Sequence, residues 1–203
     1  MKKNLYITAI AIFLFSGIAT AQHATHFTLS YNVSFPSGDL SKFVEKTSWR
    51  GGALEWKGFI NEKMSAGIDG AWHTFYQKND YDSYNVDIED INITLTGRQY
   101  RYSNNIPIYG RFDYHGSNEG DNIRWFAGVG LGTMWSEQIT NMGLYQFTSD
   151  TWHFAMSPRI GVNYYLNDWR ALSLSLSYDY GFETSKRDAV NYLRLGIGIS
   201  FIN

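Results

Sequence analysis

The sequence predicts an all-β chain that folds as an eight-stranded antiparallel up-and-down transmembrane β-barrel. Three observations lead to this prediction. Apolar and polar residues alternate along eight segments, and helical periodicity is nearly absent. Long polar connectors and short turns join these segments in alternation. Aromatic residues make up 17% of the chain and gather near both ends of the segments, as they do at the two interfaces of a membrane.

The predicted strands follow one another without an intervening helix. They are residues 27–35, 49–60, 64–76, a fourth strand that ends at 114, 123–135, 152–166, 171–180 and 192–201. The seventh, A-L-S-L-S-L-S-Y-D-Y, places leucine and tyrosine on one face and serine and aspartate on the other. The eighth, Y-L-R-L-G-I-G-I-S-F, sets an apolar face against Tyr192, Arg194, two glycines and a serine.

The connectors alternate in length. Long polar connectors are expected at 36–48, 77–97, 136–151 and 181–191, and shorter ones at 61–63, 115–122 and 167–169. An even number of strands with short turns on one side and long loops on the other is typical of outer-membrane barrels. We therefore expect both ends of the barrel domain on the periplasmic side and four loops outside the cell.

Two kinds of barrel fit this alternation, and they differ in whether the apolar face of the strands meets lipid or fills the interior. In a soluble, lipocalin-like barrel the apolar face would fill the interior and the polar face would meet water. However, the polar face consists mostly of glycine and serine with few charges, whereas a soluble barrel normally carries many Lys and Glu outside. After residue 21 no apolar run approaches the roughly 18 residues of a membrane helix. We therefore predict that the apolar face meets lipid.

The N-terminus predicts a targeting segment. Lys2 and Lys3 precede an apolar run at 5–18, and Ala19-Thr20-Ala21 is a small-x-small cleavage site. The alternative, an N-terminal membrane anchor, is disfavoured because the run is short. We predict a signal peptide at 1–21, a barrel domain at 22–203, and export to the outer membrane.

Composition limits the chemistry of the chain. The formal net charge is −2 and there is no basic block, so no nucleic-acid partner is expected. There are no cysteines, which removes disulfides and cysteine metal sites. No cofactor is predicted.

The inward face carries charged residues. The expected luminal network is Glu55, Lys57, Asp69, Arg111, Asp113, Arg159, Asp179 and Arg194. Eight strands leave an interior about wide enough for side chains to fill, and unpaired buried charges are very costly. We therefore expect four cations and four carboxylates to pair as a polar plug. A narrow proton or ion path is the alternative.

Three stretches resemble the small outer-membrane β-barrel families of the OmpW/OmpA-like group. F-T-L-S-Y-N-V-S-F-P-S-G-D-L (27–40) resembles their first strand and outer loop, G-R-Q-Y-R-Y-S-N-N-I-P-I (97–108) the entry to their fourth strand, and W-F-A-G-V-G-L-G-T (125–133) their glycine-rich fifth strand. With the strand pattern, the resemblance covers nearly all of the barrel domain. It implies fold and location, and contacts with the lipid bilayer and lipopolysaccharide.

The resemblance also implies recognition of the last strand by the barrel-assembly machinery. The residues expected to form this signal are Tyr192, Leu195, Ile197, Ile199 and Phe201. In such families an aromatic residue ends the chain, whereas here Ile202 and Asn203 follow Phe201.

The predicted role is structural, or adhesive and ligand-contacting through the outer loops, without catalysis. Lys42, Phe43 and Lys46 in one loop and residues 142–147 in another could contact a small apolar ligand or an extracellular protein. The first alternative is a narrow uptake route for a small apolar solute past Arg111, Arg159 and Arg194.

The second alternative is a lipid-modifying enzyme, which would need His153 beside Ser157 and a carboxylate on the lipid side. The acidic segment 79–90 raises the question of cation binding, but it lacks the spacing of a calcium loop.

Overall fold

The structure is a computed structural model that describes residues 25–88, 91–116 and 121–203. The predicted signal peptide lies outside the described residues. The strands are β1 Thr25–Ser37, β2 Ser48–Asn61, β3 Met64–Ile88, β4 Ile91–His115, β5 Ile123–Met142, β6 Tyr145–Asn167, β7 Arg170–Gly181 and β8 Val190–Ile202, and a short helix α1, Gly38–Phe43, follows β1. Each strand is antiparallel to the next, and β8 pairs with β1 to close the barrel. The predicted fold class is confirmed.

The alternation along each strand separates an apolar outer surface from a polar interior. Leu174 on β7 is 50% exposed and Ile197 on β8 is 60% exposed, while Ser177 and Arg194 of the same strands are buried. A monomeric soluble protein does not expose so large a continuous apolar surface. The inside-out, lipocalin-like alternative is therefore wrong. No helix among the described residues is long and apolar enough to cross a membrane.

The strands are strongly inclined to the barrel axis. We call the end with the turns at 62–63 and 168–169 the turn end, and the opposite end the loop end. The stagger can be measured by moving from each residue to its cross-strand partner, once around the barrel. The path starts at Trp125 of β5, passes through β6, β7, β8, β1, β2, β3 and β4, and returns to β5 at Trp135. Trp135 is ten residues closer to the loop end than Trp125. This stagger in an eight-stranded barrel corresponds to a tilt of about 40°. A row of neighbouring side chains therefore climbs toward the loop end from β2 to β6, by about 3 Å per strand.

Two predicted long loops are strands instead. The expected connector 77–97 is the outer part of β3 and β4, whose pairing continues to Ile88 and Ile91. The expected connector 136–151 is the outer part of β5 and β6, which meet at a turn of Gly143 and Leu144. Gly143 has a φ of 59°, a conformation that favours glycine. We call residues 73–88, 91–105, 136–142 and 145–151 the projecting sheet.

The projecting sheet has two lateral edges. The β2–β3 pairing ends at Gly51 and His73, and the β6–β7 pairing begins at Ala155 and Gly181. The connector between β7 and β8 is fastened to the sheet by Arg187, which donates hydrogen bonds to the backbone carbonyls of Ser136 and Ser149. Burial lowers the pKa of the Arg187 guanidinium, against the opposing effect of nearby carboxylates.

Helix α1 and the residues after it cover the loop end of the lumen. Leu40 and Val44 are buried against Phe75, Tyr109 and Tyr192. The first outer loop thus supplies an apolar cap. The exposed Lys42 forms an ion pair of 2.7 Å with Asp39, which raises the pKa of Lys42.

Candidate functional site

All eight predicted luminal charges lie inside the barrel and are buried. They form two groups, each with two cations and two carboxylates. Cluster one contains Glu55, Lys57, Asp113 and Arg159, and cluster two contains Asp69, Arg111, Asp179 and Arg194.

Cluster one joins β2, β4 and β6 across the lumen. Arg159 donates two hydrogen bonds to Asp113, from Nε to Oδ1 at 2.9 Å and from Nη2 to Oδ2 at 2.5 Å, and a third from Nη1 to Glu55. The Lys57 Nζ atom lies 3.1 Å from Glu55 Oε1 and 3.7 Å from Asp113 Oδ2. The guanidinium of Arg159 also lies over the ring of Phe126, at 5.2 Å.

Cluster two joins β3, β4, β7 and β8. Arg111 donates to Asp69 Oδ2 from Nε at 3.0 Å and from Nη2 at 2.5 Å. Arg194 donates to the same oxygen from Nη2 at 3.1 Å, and its Nε lies 3.0 Å from Asp179 Oδ2. Because both clusters are balanced in charge and cross the lumen, they can act as struts between opposite walls.

Glycines on β5 provide space for these side chains. A Cβ atom on Gly128 would lie 2.1 Å from Asp113 Oδ1, and one on Gly130 would lie 3.1 Å from the guanidinium carbon of Arg111. Gly196 and Gly198 of β8 instead adjoin small polar residues, Asn32 and Ser30. The glycines on the two strands therefore serve different neighbours.

The lumen is packed with rings at both ends. Toward the turn end, the Phe59 ring lies between His26 and His115, at centroid distances of 4.9 and 4.7 Å. Toward the loop end, Tyr192 packs on His73 and Phe75 at 5.2 and 5.4 Å beneath the apolar cap. The cap was missed in the sequence, although Leu40 and Val44 are apolar residues within a polar connector.

Between these ends a cavity of about 30 Å³ lies against the wall formed by β1, β7 and β8. Small polar side chains such as Ser30, Ser173 and Ser175 line it, together with Arg159 and Arg194. A volume of this size has room for about two water molecules. The cavity is therefore suited to hydration of the plug.

The residues of the predicted assembly signal lie on both faces of β8, the outer surface and the lumen. Leu195, Ile197, Ile199 and Phe201 belong to the outward face of β8, and Phe201 is exposed. Tyr192 points into the lumen and is fully buried. A receptor that reads the outer surface would thus meet four of the five residues.

The geometry of a lipid-side hydrolase is absent from the described residues. His153 and Ser157 are both buried inside the barrel. They lie four residues apart on one strand, which separates them by about 13 Å. His153 Nδ1 instead lies 2.8 Å from the carbonyl oxygen of Phe182.

Residues 79–88 of the acidic segment form the outer end of β3, and Glu89 and Asp90 lie outside the described residues. Asp82 accepts a hydrogen bond from the backbone N–H of Ser83 at 2.7 Å. No group of three or more metal-ligating side chains occurs in the described parts of the chain.

A second ordered feature lies on the outer surface near the loop end. Trp72, Ile106, Trp135 and Trp152 occupy one cross-strand row of β3–β6, which we call the Trp row. The next outward-facing row toward the loop end contains Thr74, Asn104, Glu137 and Asp150, which we call the polar row.

Hydrogen bonds connect the polar row. Thr74 Oγ1 donates to Asn104 Oδ1 and Asn104 Nδ2 donates to Glu137 Oε2, both at 2.9 Å. Trp135 Nε1 lies 3.4 Å from Asp150 Oδ2. Since aromatic residues mark the interface, the change from Trp72 to Thr74 marks the outer limit of the hydrocarbon on β3, and the members of both rows on β4–β6 lie progressively farther out. Sequence reasoning missed the polar row, because Glu137 and Asp150 lie in the predicted connector 136–151 and the register that places them beside Asn104 and Thr74 was not known.

Comparison with known proteins identifies the fold. No protein-family model matches the chain, and no curated protein matches its sequence. Among solved structures, the attachment invasion locus protein Ail of Yersinia pestis, in complex with the heparin analogue sucrose octasulfate, is similar with a TM-score of 0.54 at 12% identity over 90% of this chain and 100% of Ail. Neisserial surface protein A is similar with a TM-score of 0.54 at 12% identity over 89% of this chain and 97% of that protein. The chain has the fold of the small eight-stranded outer-membrane β-barrels.

Proposed function

We propose that the chain is an outer-membrane protein that holds the projecting sheet at the cell surface as a contact surface for an extracellular partner. Export with removal of residues 1–21 and the absence of a catalytic role are parts of this proposal. The observation that carries it is the pairing of β3 and β4, which continues past one irregularity between Lys78 and Tyr81 and reaches Ile88 and Ile91, 16 residues beyond Trp72. This corresponds to about 50 Å of strand outside the Trp row.

The plugged lumen supports a role as an anchor over a role as a channel. Arg111, Arg159 and Arg194, beside which a solute would have to pass, are all bound to carboxylates. Ion pairs between opposite walls also resist deformation of the barrel. The projecting sheet is thus mounted on a rigid base.

Exposed apolar residues on β3 and at the β5–β6 turn support a contact role. Tyr81 is 70% exposed, Leu144 is fully exposed and Tyr145 is 60% exposed. Tyrosine side chains are common at protein interfaces, where they supply apolar area and a polar group together. The strand edges of the sheet could add further backbone contacts.

Adhesion measurements test the contact role. Vesicles containing the full chain would be applied to fixed epithelial cells and to immobilised heparin, the latter because Ail was solved with a heparin analogue. A variant with Tyr81→Ser, Leu144→Ser and Tyr145→Ser should bind at least about tenfold more weakly, as expected for the loss of several interface residues. Lys63→Ser, a change of an exposed residue at the turn end, is the control. Equal binding by the triple variant, or no binding above empty vesicles, would contradict the proposal.

Conductance measurements test the anchor role. In planar bilayers the wild-type chain should pass little current at the voltages where open porins conduct. Stable, well-resolved openings of the wild-type chain would favour the uptake alternative instead.

We also propose that the outward residues of β8 form the assembly signal together with Tyr192. The exposed Phe201 ring on the outer surface supports this idea. Phe201→Ala should slow insertion by purified assembly machinery in proteoliposomes while leaving spontaneous folding in detergent intact. Equal slowing in both settings would point to a stability effect instead.

A further inference from the structure

The first residues of β2, at the loop end of the barrel, form a β-bulge on the outer surface. Gly51 pairs with Asn32 and Ser48 pairs with Ser34, so two residues of β2, Trp49 and Arg50, lie opposite one residue of β1. A bulge re-aims side chains that a regular ladder would send to opposite faces. Both residues are accordingly exposed, Trp49 to 67%.

Three hydrogen bonds fix the bulge in place. The buried Ser48 hydroxyl donates to the carbonyl of Thr74 at 2.6 Å and accepts the backbone N–H of Arg50 at 3.2 Å. The Tyr31 hydroxyl donates to the carbonyl of Trp49. The backbone that carries Trp49 and Arg50 is therefore held on both sides by neighbouring strands.

Arg50 lies at the border of the hydrocarbon. Because Gly51 pairs with His73, Arg50 is beside Thr74, at the β2 end of the polar row. Gly52 pairs with Trp72, so the Trp row begins directly below Arg50. Since rows climb toward the loop end from β2 to β6, Arg50 lies about 12 Å closer to the hydrocarbon than Asp150, four strands away.

Two exposed cations near the hydrocarbon border lack an ion-pair partner among the described residues. Among the described residues, neither Arg50 nor the exposed Lys78 forms a salt bridge, whereas every cation of the two luminal clusters does. Lys78 lies four residues beyond Thr74 on β3, about 13 Å farther out. The rings of Tyr76 and Tyr102, tilted against each other at a centroid distance of 5.0 Å, lie along the same face. The carboxylates Glu137 and Asp150 face each other on the far side of the projecting sheet.

We propose that Trp49, Arg50, Trp72 and Lys78 form a binding surface for the phosphate-bearing headgroup of an outer-leaflet lipid. An arginine at the hydrocarbon border needs an anion, and its planar guanidinium suits two oxygens of a phosphate. Tryptophan at this depth packs on the acyl chains and the headgroup. Lys78 reaches the region above, where a second phosphate or a sugar phosphate would lie. This inference rests on the proposed membrane location, and it names one face of the barrel as the lipid-binding face.

Lipid retention in nanodiscs tests the proposal. The full chain would be placed in phosphatidylcholine nanodiscs that contain bisphosphorylated lipid A, or the same lipid after enzymatic removal of its phosphates. Retained lipid would be counted by native mass spectrometry. Wild-type protein should retain the phosphorylated form preferentially, and Arg50→Gln with Lys78→Gln should reduce retention by about tenfold or more, the effect of losing a charge-assisted contact.

The matched control is Arg170→Gln. Arg170 is an exposed cation that lies 4.0 Å from the Trp169 ring, but at the turn end, where it faces the other leaflet. Arg170→Gln should leave lipid retention unchanged. Arg50→Lys should give an intermediate loss of retention, because the charge stays but the pair of guanidinium N–H donors that can bind two phosphate oxygens is removed.

Three results would overturn the lipid site: equal retention of dephosphorylated lipid A, an Arg170→Gln effect as large as that of the Arg50→Gln and Lys78→Gln double variant, or displacement of the lipid by millimolar inorganic phosphate. Failure of the membrane location itself would be visible separately. The strands would then be digested by protease in the nanodisc preparation, and the heat-dependent shift in gel mobility of a folded barrel would be absent.

Discussion

Removal of the Arg159 side chain should strongly destabilise the barrel. Arg159→Met deletes three charge-assisted hydrogen bonds, two to Asp113 and one to Glu55. Cluster one would then hold the single cation Lys57 against two buried carboxylates. Breaking a buried ion pair from one side typically costs about 3–5 kcal/mol, and we expect a loss in that range.

Urea unfolding in lipid vesicles, followed by tryptophan fluorescence, would measure this loss as the free energy of unfolding. Arg124→Met is the matched control, because Arg124 is also buried but donates to the carbonyl oxygen of Glu62 at 2.5 Å and forms no salt bridge within the described residues. Its loss should be about 1.5–3 kcal/mol, the usual value for a hydrogen bond with one charged partner.

A second variant separates charge balance from packing. Adding Glu55→Gln to Arg159→Met leaves one cation and one carboxylate in cluster one, so the double variant should be more stable than Arg159→Met alone. If the double variant is less stable, or if Arg159→Met costs no more than Arg124→Met, the clusters are not the struts described above.

Two further substitutions test the outer surface and the interior. Leu174→Arg, with the side chain in the hydrocarbon, should cost about 2–4 kcal/mol in vesicles, whereas Leu144→Arg at the fully exposed tip should cost close to nothing; equal costs in the same urea assay would refute the membrane placement. Gly128→Ala should lower stability by about 1–3 kcal/mol, because its Cβ would lie 2.3 Å from the Phe112 carbonyl oxygen. Gly58→Ala has no atom within 4 Å of the new Cβ and should be neutral; comparable folding yields for both alanine variants would count against close packing at Gly128.

The strands inside the bilayer could be predicted because their two faces meet different media. The alternation along β7 and β8 is imposed by hydrocarbon on one side and a polar lumen on the other. Beyond the Trp row the outer face no longer meets hydrocarbon, so this constraint disappears. Gln77 and Asn79 illustrate the difference, since their amide groups hydrogen-bond each other at 2.8 Å on the projecting sheet and look like loop residues in the sequence.

The identity of the luminal charges could be predicted from parity, but their partners could not. Arg159 and Glu55 are 104 residues apart, and their contact depends on how far each strand is shifted relative to its neighbours. That stagger is set by the sum of all eight pairings. No single strand carries the information, so the division into two balanced clusters required the three-dimensional structure.

The same stagger distributes charge on the outer surface. With strands inclined by about 40°, a single row of side chains passes from the hydrocarbon border at Arg50 to a level well outside it at Asp150. The cation therefore lies where lipid phosphates are found, and the carboxylates Glu137 and Asp150 stand away from those phosphates. A reversed order would place two carboxylates against the anionic headgroups. The strand tilt and the order of residues along the polar row together place the phosphorylated lipid beside β2 and β3. The β5 and β6 side of the projecting sheet then remains free for a partner outside the membrane.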